Sequence, residues 1–240
     1  MSRLSRRKYA SVYGPTTGDR IRLADTDLWV RVEADDTEAG EELLGGCGKT
    51  ARDGLLVAGR APRESALDMV ILGVVVMDPL IGIRKTNIGI KDGRIVGVGR
   101  AGNPETTDGV ELVVDSHTAM ITGEGLIATP GLVDSHVHLS SPEVVPAALS
   151  AGVTSLVGMG IGGVWDVGAT PARNLHSLIE GWRDVPINAA FLARGSSSSQ
   201  ELLERAVLAG AGGFKIHEDW GATPRIVDTC LGVAEQADLP

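Results

Sequence analysis

From Pro130 onward the sequence alternates four times between a short β-branched apolar run and an amphipathic helical stretch, and this rhythm constrains the fold most. The apolar runs are Leu132–Leu139, Val153–Val157, Ile187–Leu192 and Gly213–His217. The helical stretches are Pro142–Ser150, Pro171–Trp182, Ser199–Leu208 and Thr223–Gln236. Strands alternating with helices at this spacing build a parallel sheet with helices on its outer face. The spacing suits an α/β (β/α)8 barrel of the TIM type, which closes at about eight units. The expectation is therefore the first half of such a barrel. Leu175, Leu178, Ile179 and Trp182 share one face of the second helix; Ile226, Val227, Cys230, Leu231 and Ala234 are expected inward on the fourth. The Ser196–Ser199 tract reads as a strand-to-helix loop that caps the third helix.

The preceding segment, 1–128, has a different texture and is expected to be a separate β-rich domain, with the barrel over 129–240. Leu28–Val32, Met69–Met77, Val110–Val114 and Leu126–Ala128 are strand candidates. Asn87–Ile90 and Arg94–Val98 flank Lys91-Asp92-Gly93, the signature of a tight β-hairpin. Arg3, Arg6, Arg7 and Lys8 read as a solvated basic tail.

Charge removes several function classes. With 22 basic and 31 acidic residues the net charge is −9, and no basic stripe suits a nucleic acid. No apolar segment is long enough to span a bilayer. Two cysteines, Cys47 and Cys230, make no disulfide framework, which points to a reducing cytoplasm. Aromatic residues are only 3% of the chain, so the core must be built from Val, Ile, Leu and Ala.

The five histidines can be weighed one by one. His136 and His138 flank Val137 in the first barrel strand, where alternation points both imidazoles into the barrel. Paired imidazoles there can bind a divalent metal; the bland alternative is two half-buried polar residues. Lys215 and His217 repeat the arrangement on the fourth strand. An inward ammonium needs pairing, neutralisation or modification. Two readings stay open: an ion pair with Asp134 or Glu218, or carbamylation by carbon dioxide to an anionic oxygen ligand. His117 reads as a surface residue, and His176 sits on a helix away from the strands. Gly45-Gly46-Cys47-Gly48-Lys49 is not a phosphate loop, because Leu43 stands where the pattern needs glycine.

These motifs carry a resemblance. Tyr13-Gly14-Pro15-Thr16-Thr17-Gly18-Asp19, Arg20–Thr26, Gly48-Lys49 with Arg52-Asp53-Gly54, Asn87–Ile95 and Gly102-Asn103-Pro104 resemble the opening of the urease alpha-subunit family. Lys215-Ile216-His217-Glu218-Asp219-Trp220-Gly221, followed by Asp228-Thr229-Cys230-Leu231, is the most specific match. Pro130–His136 also resembles the wider amidohydrolase superfamily, and Val164-Trp165-Asp166-Val167 departs from the small-residue loop of ureases, as in a divergent branch.

The resemblance implies a nickel-dependent amidohydrolase that hydrolyses urea, or a related small amide, to ammonia and carbamate. It implies two nickel ions bridged by carbamylated Lys215, with His136 and His138 as nickel ligands. His217 would bind substrate, and Asp219 would orient the family's catalytic histidine. The implied partners are the beta and gamma urease subunits, accessory proteins for nickel loading, and a separately encoded C-terminal half. The family's other ligands lie farther along than Pro240, so the chain is expected to be inactive alone. The competing readings are a non-catalytic remnant or assembly module, and an amidohydrolase acting on a cyclic amide.

Overall fold

The computed structural model describes residues 3–37, 57–59, 62, 64–139, 141–159, 172–218 and 221–240. The chain divides into two compact units, Met1–Pro130 and Gly131–Pro240.

The first unit is built around a long hairpin, β4 (Met69–Asp78) with β5 (Gly82–Lys91). A second hairpin joins β5 to β6 (Arg94–Gly99) through Asp92 and Gly93. Both turn residues have positive φ, 50° and 71°, as a two-residue turn matched to strand twist requires. β3 (Ala34–Asp35), β9 (Ala119–Thr122) and β10 (Ile127–Ala128) complete a six-stranded sheet. Two smaller pairs, β1 (Arg20–Arg22) with β2 (Trp29–Arg31) and β7 (Ala101–Gly102) with β8 (Leu112–Val113), flank it. Leu67, Val70, Leu72, Leu112 and Val114 bury together, and Val74, Val76 and Ile88 form a second cluster.

The basic N-terminus is not a free tail. Arg6–Tyr13 is helix α1, capped by Ser5, whose hydroxyl accepts from Lys8 N. Arg6 Nη2 pairs with Asp19 at 2.5 Å, and the Lys85 ammonium sits 5.6 Å from the centroid of the Tyr9 ring. Arg3, Arg6, Arg7 and Lys8 are all exposed, as their charge suggests, but Arg6, Arg7 and Lys8 lie on a capped helix rather than in a tail.

Asp115 anchors the turn before β9. Its carboxylate accepts from His117 N at 2.7 Å and Thr118 N at 3.0 Å, while Thr118 Oγ1 donates to Leu67 O at 2.7 Å. The His117 backbone bond, helped by Thr118, holds the Asp115 carboxyl below its ordinary pKa despite burial. A depressed folded pKa contributes stability above the unfolded pKa of ~3.9, which is lost as pH falls through the folded value. Asp115→Ala is therefore expected to lower the melting temperature by several degrees at neutral pH. The gap to the parent should narrow as pH falls below the ordinary aspartate range; a constant gap in scanning calorimetry would refute this.

The second unit runs β11 (Leu132–His138), α2 (Val144–Ser150), β12 (Val153–Met159), α3 (Ala172–Gly181), β13 (Asn188–Arg194), α4 (Gln200–Leu208), β14 (Phe214–Lys215) and α5 (Pro224–Ala237). The strands pair in parallel in the order β11-β12-β13-β14, the curled sheet of half a barrel. Leu139, Val145, Leu156, Leu175, Phe191, Ala193 and Ala206 form the core between sheet and helices. The Trp182 and Phe191 rings meet edge-on at 5.7 Å. Ser199 caps α4 by accepting from Leu202 N, and Thr223 caps α5 by accepting from Ile226 N. On α5 the buried stripe is Cys230, Val233 and Ala234, while Leu231 is 60% exposed. A helical residue lies about 100° from its neighbour, so Leu231 leaves the face that Cys230 occupies.

Candidate metal centre

β11 carries His136 and His138 at its C-terminal end. Its register against β12 shifts between Asp134 and Val137: Asp134 aligns with Leu156 and Val137 with Gly158. β11 thus holds one extra residue, a bulge, just where His136 sits. Asp134 Oδ1 accepts from His136 N at 3.0 Å and pins the bulge. Beyond it alternation resumes. Val137 packs on the helix-side core, while His136 and His138 are both exposed on the strand. Gly158 makes room for the bulge, since a Cβ there would lie 2.1 Å from Val137 O.

β14 carries Lys215, and His217 follows it. Phe214 packs into the helix-side cores, so Lys215 takes the opposite face. Gly195 N donates to Lys215 O at 2.7 Å, extending the ladder past β13. His217 is held through its backbone: its N donates to Ser196 Oγ at 3.2 Å, and Ser196 Oγ donates to His217 O at 3.3 Å. His217 Nδ1 lies 3.5 Å from Glu218 Oε2. Lys215 makes no ion pair among the described residues; Asp134 bonds the backbone of its own strand, and Glu218 faces His217.

Asp219, Cys47, the Gly48-Lys49 and Arg52–Gly54 motifs and the 164–167 loop lie outside the described residues. His117 is on the surface of the first unit, its side chain 83% exposed, and His176 is on α3. Sequence reasoning missed Ser196, which holds His217, and Arg194, which stands opposite Lys215. Ending the third strand at Leu192 kept Arg194 out of view; extending the alternation by two residues would have included it.

Chemically, two exposed imidazoles on one strand offer nitrogen donors suited to nickel, zinc or copper. Among the described residues no group of three or more His, Cys, Asp and Glu gathers to hold a metal ion. Lys215 is the remaining candidate donor, and an ammonium has no lone pair to give, so it fits only after conversion to an anionic ligand.

Comparison with known proteins supplies the context. The family model for the urease alpha-subunit N-terminal domain matches residues 2–121, and that for the amidohydrolase family matches residues 127–240. The chain is 49% identical over 241 residues to a urease subunit alpha of Sulfurisphaera tokodaii, covering 99% of this chain and 43% of that protein. It is 50% identical over 232 residues to urease subunit alpha 2 of Streptomyces coelicolor, covering 96% of this chain and 41% of that one. It therefore spans under half the length of these relatives. A crystal structure of an adenine deaminase aligns with 72% of this chain and 48% of its own at a TM-score of 0.47 and 18% identity.

Proposed function

Because the chain belongs to the urease alpha-subunit family, we propose that it supplies part of a nickel-dependent active site for the hydrolysis of urea to ammonia and carbamate. The observation that carries this reading is the placement of His136 and His138 on β11 and of Lys215 on β14, in one parallel sheet. His136, His138 and carbamylated Lys215 would hold two nickel ions. Bound nickel would supply Lewis acidity toward a carbonyl oxygen and make water acidic enough to attack near neutral pH. The chain's own residues position the reactants. The bulge at His136 and the exposed setting of His138 present two imidazoles together. His217, fixed through Ser196, donates a hydrogen bond to the urea carbonyl oxygen, an interaction that strengthens as that oxygen gains charge. Asp219 orients a catalytic histidine that further urease sequence would contribute.

The proposed assembly joins this chain to beta and gamma subunits and to the remaining barrel strands, with accessory proteins loading nickel. No helix among the described residues is long and apolar enough to cross a membrane.

Metal analysis tests the reading. The chain, incubated with nickel and bicarbonate and freed of excess metal, is expected to retain nickel. His136→Ala with His138→Ala should weaken retention by on the order of 100-fold. Equal nickel in parent and double variant would sink the ligand assignment.

A further inference from the structure

We propose that Arg194 is a positioning residue that favours the carbamylated form of Lys215 over the ammonium; this rests on the reading of Lys215 given above. β13 and β14 pair in parallel, with Ala193 opposite Phe214 and Arg194 opposite Lys215. Ala193 is wholly buried in the helix-side core and Phe214 packs on that core. Arg194 and Lys215 therefore leave the sheet together on the other face, both half-buried.

Like charges directly opposite each other on a sheet destabilise it, and opposite charges stabilise it. As guanidinium and ammonium the two are the unfavourable pair. Carbamylation reverses the sign. The neutral amine nitrogen of Lys215 attacks the carbon of carbon dioxide, an N–C bond forms, one N–H proton leaves to solvent, and the product carries a single negative charge. Arg194 cannot lose its own proton in the accessible range, so its positive charge stands beside Lys215 throughout. The juxtaposition is also fixed. Gly195 N donates to Lys215 O at 2.7 Å, and a Cβ on Gly195 would approach Cys230 Sγ at 2.8 Å and Ile216 Cγ1 at 2.9 Å. The two strands meet too closely here for the register to slip.

The test titrates 13C-bicarbonate into the full chain in the presence of zinc, a diamagnetic ion suited to the same donors, and reads the carbamate carbon by NMR, for the parent, Arg194→Met, Arg194→Gln and Arg194→Lys. The neutral variants are expected to need about tenfold more bicarbonate for half-occupancy, the scale of one charge contact at a partly solvated site. Arg194→Lys keeps the charge and should stay close to the parent. If the neutral variants and the parent take up label at the same bicarbonate concentration, the role of Arg194 is overturned while carbamylation stands. If the parent takes up no label at any concentration, the carbamylation of Lys215 falls, and the role of Arg194 with it.

Discussion

Gly158→Ala is expected to prevent β11 from seating against β12 and to unfold the second unit, or to leave it expanded and prone to aggregate. The new methyl carbon would sit 2.1 Å from Val137 O and 2.8 Å from Val137 Cγ1. The nearer atom is a backbone carbonyl, so no side-chain rotation relieves the contact; either β11 moves or the bulge is lost. Overpacking of this kind costs at or above ~3 kcal/mol, a large share of the 5–15 kcal/mol that holds a domain together. The expected readings are a marked fall in the urea midpoint of the second unit and, under any condition where it still folds, loss of nickel retention, because the bulge positions His136. An unchanged midpoint would mean that β11 does not run as described. Gly181 is the control, since a Cβ there meets nothing within 4 Å; Gly181→Ala should leave the midpoint almost unchanged.

Lys85→Met should be the most damaging change in the first unit. The Lys85 side chain is 2% exposed, and its Nζ lies 3.3 Å from Asp35 Oδ2, itself in a side chain 9% exposed. Asp35 also accepts from Thr16 Oγ1 at 2.6 Å and from Thr37 N at 2.9 Å. Burial pushes the Glu124 carboxyl up, and the Lys85 charge partly offsets that shift. Removing the cation leaves the Asp35 carboxylate without its partner and takes away the charge that favours ionised Glu124. Breaking one member of a buried pair typically costs 3–5 kcal/mol. The double variant Lys85→Met, Asp35→Asn should lose less than the two single changes summed, since the second removes the charge that the first leaves unpaired. Simple additivity in urea unfolding would show that the pair is not coupled.

Much of this was legible in the residues. The four strand–helix units were readable because each depends on local chemistry: β-branched runs, apolar spacing near 3.6 and, for α4 and α5, a serine or threonine cap. The Asp92-Gly93 hairpin was readable for the same reason, since its two positive φ angles come from the turn residues themselves. His136, His138, Lys215 and His217 were candidates because a histidine or lysine inside an alternating apolar strand is costly enough to need explanation. Leu231 was misplaced by one residue of helical phase, and α1 was hidden by its charge.

The sequence by itself determined the element order of the second unit, the two textures on either side of Pro130, and the family motifs, all carried by short-range pattern. Only the tertiary structure decided the bulge that seats His136, the burial of Lys85, and the pairing of Arg194 with Lys215. The physical reason is the same in each case. Strand register and depth of burial are properties of neighbours far apart along the chain: Gly158 accommodates Val137, Asp35 meets Lys85 across 50 residues, and β13 selects which residue of β14 stands beside it. No local pattern encodes those choices, because each is settled by which arrangement excludes clashes and pairs buried charge once the sheet has closed up.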